Sequence, residues 1–288
     1  MEKARDIKRR MGSVENTKKI TRTMEMVAAS KLRRARRRVE ASRPYSRKLT
    51  GAIERLATPE LADLQPLLRQ PEEIRRAAVL LLTSDRGLCG AFNSNLIRHA
   101  RGLMDELRER DVETRFQVVG QQGIDFFAFR GVEMERTVTG LGDEPDVEDA
   151  RDLVGDMAAD FAEERPDALY LVYSDFRSIM ETPPVDRRVL PVAVEEEEGA
   201  GPFYILDPSA EEILEELLPL YVTNTVFQAL VENAAAEQGA RRTAMKNATD
   251  NAEEMLEELR RSYNRARQAE ITQQIAEIMG GAEALAEE

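Results

Sequence analysis

The sequence predicts an α/β protein: two long helices, one from each end of the chain, pair antiparallel and flank a body with a mainly parallel sheet. Three observations predict it. All twelve prolines lie between Pro44 and Pro219, leaving the first 43 and the last 69 residues free of proline. Proline removes an N–H and clashes with the preceding turn, so the two ends are where long helices are permitted. Both ends also repeat apolar residues at steps of three and four, the helical period. The middle instead alternates short apolar runs with amphipathic stretches, the pattern of strands joined by right-handed helical crossovers.

At about 1.5 Å per residue, residues 2–43 extend roughly 60 Å and residues 220–279 roughly 90 Å. Neither stripe can be buried on a small body alone, so the economical arrangement is an antiparallel helical coiled coil. The N-terminal stripe runs Ile7, Met11, Val14, Ile20, Met24, Ala28, Leu32, Ala35, Val39. Its repeated steps of four depart from a strict heptad and predict weak supercoiling. The opposite face carries Arg33, Arg34, Arg36, Arg37 and Arg38, a density that calls for an anionic neighbour. Pro44 is expected to bend or end the helix, with a second helical stretch over about 45–57, so that residues 1–58 form the N-terminal shaft segment.

After a linker from Pro59 to Pro71 the rhythm changes. Ala77–Thr83 reads as a buried strand, followed by a turn through Gly87 and Gly90 and a helix near 93–109. Thr114–Gly120 reads as a strand, 121–130 as a short helix, Val132–Thr139 as a strand, 147–164 as a helix and Ala168–Ser174 as a strand. Arg177–Val194, interrupted by Pro183-Pro184, is expected to add a hairpin at the sheet edge. Residues 72–194 are thus expected to form a Rossmann-like α/β body.

Glu195–Glu198 followed by Gly199-Ala200-Gly201 reads as a solvated loop. Four adjacent carboxylates without interleaved carbonyl or Asn ligands are a poor cation site. Helical spacing resumes at Ala210 through Leu217, Tyr221, Phe227, Val231, Met255, Leu259, Ile271, Ile275 and Ile278, giving a C-terminal shaft segment over 210–288. Pro219 is expected to kink it or to sit in its first turn, and Gly280-Gly281 to fray it.

Composition narrows the function. The net charge is −13, but residues 1–48 carry +12 and the remaining 240 carry −25. An acidic body argues against nucleic acid as the main partner. Cys89 and His99 are the only residues of their kinds, which excludes an intrachain disulfide and a Cys/His zinc cluster. His99, in Ile97-Arg98-His99-Ala100-Arg101, reads as part of a helix face rather than a catalytic group. No apolar run approaches the ~20 residues of a membrane span. The charged N-terminus lacks a signal-peptide core, and a lone cysteine suits a reducing compartment, so the chain reads as mature and cytosolic.

The turn Asp85-Arg86-Gly87-Leu88-Cys89-Gly90 follows the first strand, where open α/β sheets bind phosphates. It lacks both the G-x-G-x-x-G spacing and the P-loop Lys-Ser/Thr ending. It therefore reads as a tight strand–helix connection whose glycines supply positive φ. Met11, Met24 and Met26 read as packing residues of the helical stripe.

The segment Val14-Glu15-Asn16-Thr17-Lys18-Lys19-Ile20-Thr21-Arg22-Thr23-Met24-Glu25-Met26-Val27-Ala28-Ala29-Ser30-Lys31-Leu32 closely resembles the N-terminal signature of the γ subunit of rotary, F-type ATP synthases. The resemblance recurs at Thr83-Ser84-Asp85-Arg86-Gly87-Leu88-Cys89-Gly90. It returns at Ala244-Met245-Lys246-Asn247-Ala248-Thr249-Asp250-Asn251-Ala252 and at Tyr263-Asn264-Arg265-Ala266-Arg267-Gln268-Ala269-Glu270-Ile271-Thr272-Gln273-Gln274-Ile275. These motifs stand in order and span the chain.

The resemblance implies a central-stalk rotor subunit whose terminal helices sit in a ring of three α and three β subunits. Its foot would join ε and the c ring, with δ reached only indirectly. It implies no active site, cofactor or metal site on this chain, because ATP or ADP and Mg²⁺ are bound by the α and β subunits. Arg267 and Gln268 match the pair that reaches a carboxylate-bearing loop of β, and Arg22 and Met24 the opposing strip. Tyr204 and Asp207 match the foot segment that meets ε and the c ring. With no extra cysteine pair or long insertion, the chain resembles the bacterial type, peripheral on the cytoplasmic face of the membrane. The acidic body and the Glu195–Glu198 run exceed what the motifs require. The competing class is a coiled-coil adaptor that docks its basic N-terminal helix on a polyanion; Glu253, Glu254, Glu257 and Glu258 on the partner helix would oppose it.

Overall fold

A computed structural model describes residues 4–57, 61, 65–192 and 209–286. Helix α1 covers Ala4–Leu56 and helix α5 covers Ala210–Ala286. Between them come β1 (Arg76–Leu82), α2 (Phe92–Glu109), β2 (Glu113–Val119), α3 (Gln121–Phe129), β3 (Arg136–Val138), α4 (Val147–Ala162), β4 (Ala168–Ser174) and β5 (Pro184–Leu190). The chain divides into two compact units, Met1–Val27 with Arg242–Glu288, and Ala28–Arg241.

Long helices form at the ends because Ala, Arg, Lys, Glu, Gln, Leu and Met dominate there, the residues that lose least in a helix. Neither proline stops them. Pro44 lies inside α1 and Pro219 is the tenth residue of α5, so Pro44 does not end its helix and Pro219 does not sit in the first turn. Each proline costs its helix one backbone hydrogen bond; neighbouring packing offsets it, with Leu49 and Ile53 buried after Pro44 and Leu218, Val222 and Val226 buried around Pro219. Helix α5 also continues past Gly280-Gly281.

In the first unit the two helices pair antiparallel. The Ala4 N–H donates to Glu270 Oε1 at 3.0 Å, Lys18 Nζ lies 2.6 Å from Glu253 Oε1, and Thr249 Oγ1 donates to Thr21 Oγ1 at 2.8 Å. Partners on α5 thus descend in number as those on α1 rise. The seam buries Ala4, Ile7 and Thr21 against Met245, Thr249, Ala252, Leu256 and Leu259. Expected stripe residues also face outward: within the paired stretch Ile20 is 60% exposed and Met255 48%, and beyond it Ile271, Ile275 and Ile278 are exposed. At 100° per residue, Thr21 stands seven residues from Val14 and returns to its face, whereas Ile20 stands six away and points elsewhere. Leu256 replaces Met255 for the same reason, completing the spacing Thr249, Ala252, Leu256, Leu259.

In the second unit the sheet order is β3-β2-β1-β4-β5. Strands β1, β2, β3 and β4 are parallel, and β5 is antiparallel to β4. The expected strand over Val132–Thr139 shortens to β3, and Arg177–Val194 supplies one edge strand in its described part rather than a hairpin. Alternation along β1 divides the core. Leu80 and Leu82 join Leu153, Met157 and Phe161 of α4 on one face, while Val79 and Leu81 join Leu96, Ala100 and Phe127 from α2 and α3 on the other. Helix α1 contributes Leu49 and Ile53 to the first cluster and Leu32, Ala35 and Val39 to the second. Helix α5 likewise feeds both, Leu214 to Leu230 the first and Val231, Ala235 and Ala236 the second.

Candidate partner-contact surfaces

Open α/β sheets receive ligands in the crevice at the carboxyl end of the strands, where the strand order reverses. Here that point lies between β1 and β4, and the chain's own α5 occupies it. Asn233 Oδ1 accepts the Ser174 N–H at the end of β4 at 3.1 Å, and Arg241 Nη2 donates to the carbonyls of Arg86 and Gly87 at 2.9 and 3.2 Å. Arg241 also pairs with Glu237 at 2.6 Å; burial pushes the Glu237 carboxyl up, while Arg241 opposes the shift. The turn's anionic group is Asp85 itself: one oxygen accepts the Gln121 N–H opening α3 at 3.1 Å, the other the Gly140 N–H at 2.9 Å. A carboxylate of the chain thus stands where a helix N-terminus would hold a phosphate. The positive φ falls on Leu88 and Gly90 rather than on Gly87.

The loop after β3 reaches from this edge to both long helices. Asp143 Oδ2 accepts from Lys31 Nζ of α1 at 2.5 Å, and its Oδ1 accepts from Gln238 Nε2 of α5 at 2.8 Å. Glu144 pairs with Arg34 at 3.1 Å, and the Pro145 carbonyl accepts from Arg38. The loop ends at Asp146, which caps α4 in a reciprocal capping box with Asp149. Part of the anionic neighbour demanded by the arginine run is therefore this loop. Arg36 pairs along the helix with Glu40, while Arg33 and Arg37 are exposed with no ion pair among the described residues.

The residues expected to contact β fall into two patches of the first unit. Arg22 is exposed and Met24 half-buried, just beyond the Thr21–Thr249 level; Arg267 and Gln268 are exposed near the Ala4–Glu270 level. By helical rise the patches stand about 25 Å apart along the pair. Missed by the sequence reading is the apolar surface at each. Ile20, Met26 and Val27 are exposed around the first patch; Ile271, Ile275, Ile278 and Met279 are exposed beyond the second. The signal was available in the register. Because Ala4 already meets Glu270, α5 runs past the described start of α1, and an apolar stripe after residue 270 has no facing helix there.

His99 lies on α2 with Nε2 2.7 Å from Asp186 Oδ1 of β5. Their open groove, about 310 Å³, is lined also by Asn95, Arg98, Glu106 and Pro184. Cys89 is buried beside Ser84 and Asn93, and burial pushes its thiol up. Tyr204, Asp207 and Glu195–Glu198 lie outside the described residues. Among the described residues no group of three or more His, Cys, Asp or Glu side chains is placed to hold a metal, and no helix is long and apolar enough to cross a membrane.

The chain matches the family described as ATP synthase over residues 3–285. It is 50% identical to an ATP synthase gamma chain of Gemmatimonas aurantiaca over 99% of both chains. It is 45% identical to an ATP synthase gamma chain of Streptomyces coelicolor, covering 97% of this chain and 95% of the other. Among solved structures, a chain of the Euglena gracilis mitochondrial ATP synthase shares the fold with a TM-score of 0.67 at 18% identity, covering 98% of this chain and 94% of that one. A central-stalk/c-ring structure of the Tetrahymena thermophila mitochondrial ATP synthase matches with a TM-score of 0.60 at 21% identity, covering 80% of this chain and 99% of that one.

Proposed function

This chain belongs to the ATP synthase family as a γ chain, and on that premise we propose that it is the rotor shaft coupling ion flow to ATP synthesis and hydrolysis, without catalysing either itself. The single observation that carries this reading is the helix beyond Glu270. Ile271, Ile275, Ile278 and Met279 form an exposed apolar stripe at helical spacing with no facing helix among the described residues, which suits insertion into a surrounding sleeve of α and β subunits. The sheet crevice supports the same reading, because α5 fills the place where a catalytic α/β domain would bind its ligand.

Coupling is then differential binding. A shaft without threefold symmetry meets three copies of β unequally, so each rotary position favours a different set of β conformations. Each ~1.4 kcal/mol of difference is tenfold in nucleotide affinity. Linkage is reciprocal, so hydrolysis turns the shaft and ion-driven turning makes ATP. In this proposal Arg22, Met24, Arg267 and Gln268 meet β, Tyr204 and Asp207 meet ε and the c ring, and δ is reached only indirectly. ATP, ADP and Mg²⁺ stay on α and β. The assembly lies on the cytoplasmic face of a bacterial membrane, with this chain peripheral. Co-expression with α and β, followed by ATPase assay with and without this chain, tests the reading. The chain should co-purify with them and be required for full coupled turnover, and the purified chain alone should hydrolyse no ATP. Robust hydrolysis by the chain alone, or failure to join α and β, overturns it.

A further inference from the structure

We propose that the Gly140–Asp146 loop is a clasp that fixes α1 and α5 to the sheet, with Asp143 as the positioning residue through which turning force passes between body and helices. The proposal rests on the rotor reading above. The loop is held at both ends: the Gly140 N–H is tied to Asp85, and Asp146 is locked in the capping box of α4. Between these anchors Asp143 spends one carboxylate oxygen on each helix, Lys31 of α1 and Gln238 of α5. Glu144 and the Pro145 carbonyl add Arg34 and Arg38 of α1.

The contacts are unequal. Arg34 and Glu144 are both more than half exposed, and such pairs contribute little. Asp143 differs because Gln238 is 2% exposed and its Oε1 already lacks a partner. Deleting the carboxylate would leave the buried Nε2 without its principal acceptor, and such a group is costly. Other directional ties between helices and sheet each reach one helix only. Asn233 and Arg241 of α5 bond the Ser174 N–H and the Arg86 and Gly87 carbonyls, and Arg43 of α1 donates to the Phe176 carbonyl. Asp143 bonds both helices at once, and most of the rest is apolar packing. Packing resists separation but is non-directional; charge-assisted hydrogen bonds fix register and angle. Under torsional load the directional contacts are the ones that keep body and helices turning as one.

The test uses the complete membrane-bound complex. Asp143→Ala should leave unloaded ATPase near wild type, while ion pumping per ATP against an opposing gradient falls to roughly half or less. Asp143→Asn, which keeps an acceptor for Gln238 but loses the charge facing Lys31, should fall between. In a Lys31→Cys, Asp143→Cys variant, a short bifunctional methanethiosulfonate linker should restore loaded pumping, and reductant should abolish the rescue in the same sample. A purely structural role would lower assembly or thermal stability without this reversible dependence on load. If the alanine variant does not assemble, the linked cysteine pair decides: assembled and coupled supports the clasp, assembled and uncoupled overturns it. Loaded pumping equal to wild type in both Asp143→Ala and the unlinked pair also overturns it. Loss of coupling in the wild-type complex itself would instead count against the rotor reading.

Discussion

Thr249 donates through Oγ1 to Thr21 Oγ1 at 2.8 Å, while Thr21 returns its own proton to the Lys18 carbonyl at 3.1 Å. This hydroxyl pair sits inside the helix seam, 6% and 8% exposed, and sets a register that apolar residues alone would leave free to slide. Buried polar partners specify alignment because a slipped register leaves each of them unpaired.

Cysteines replacing Thr21 and Thr249 should therefore join within one chain when treated with a short thiol crosslinker. Non-reducing electrophoresis and peptide mass mapping of the assembled complex provide the check. Linkage between separate chains, with none inside a chain, would show that the helices do not pair at this level.

The same pair marks where the sequence was legible and where it was not. Absence of proline and helical spacing were enough for both long helices, and alternating apolar runs were enough for the parallel sheet. The phase of the seam is not legible from apolar character alone, because angle, not hydrophobicity, decides which residue faces the partner. Ile20 attracted the stripe that Thr21 occupies, and Met255 the one that Leu256 occupies. Hydrophobicity says that a residue wants a partner, not that the partner is in the same chain. The Asp143 contacts were invisible for a different reason: Lys31, Asp143 and Gln238 are far apart in sequence, and only the fold brings them together.

Gly120 should be intolerant of any side chain. It holds φ +96°, and an added Cβ would lie 2.4 Å from the Thr83 carbonyl oxygen. Gly120→Ala should cost roughly 2 kcal/mol or more, from backbone strain and the displaced strand end. Gly155→Ala is the control: Gly155 is helical with open space around it, so alanine should be neutral or stabilise by up to about 1 kcal/mol. Denaturant unfolding of the purified chain measures both. Equal midpoints for Gly120→Ala and wild type would refute the close approach.

Glu232 supplies a pH signature. Burial is the main cause that pushes its carboxyl above the usual 4.5, against the opposing pull of Gln228 at 2.7 Å and Arg43 at 3.3 Å. A raised folded value means that the folded state holds the proton where the unfolded chain has released it. The associated stability is complete below pH 4.5 and is lost as pH rises toward the folded value. Glu232→Gln, which cannot ionise, should escape that loss. Its melting temperature relative to wild type should therefore increase between pH 4.5 and 7. A constant difference across the window would mean that Glu232 is not held protonated by burial.

Met24→Lys should uncouple rather than unfold. Met24 is half-buried beside exposed Ile20, Met26 and Val27, so a longer cationic side chain has room without breaking the seam. If Met24 meets β as proposed, the new charge would favour whichever rotary position offers it a carboxylate. The expected result is normal assembly with fewer ions pumped per ATP in reconstituted vesicles. Unchanged pumping per ATP would remove Met24 from the contact surface.

Arg267 and Gln268 carry the sharpest expectation. Both side chains are exposed and neither has a hydrogen-bond or ion-pair partner among the described residues, although the Gln268 carbonyl accepts from Thr272 Oγ1 at 2.9 Å. They stand where the apolar seam ends, one turn from the Ala4–Glu270 contact, so removing them should not disturb the pairing of the helices. A guanidinium offers a planar fork that matches a carboxylate in two parallel hydrogen bonds, a geometry lysine cannot reproduce. Losing such a contact should cost roughly 1.5–3 kcal/mol at the rotary position where it forms. If, as proposed, the contact is made in one position and broken in the next, its loss should alter the barriers between positions more than the stability of the assembly. Arg267→Ala with Gln268→Leu should therefore assemble normally with α and β while steady-state hydrolysis and synthesis both fall. Arg267→Lys should recover only part of the rate. Wild-type rates in both directions would show that this contact is dispensable and that coupling is spread along the shaft.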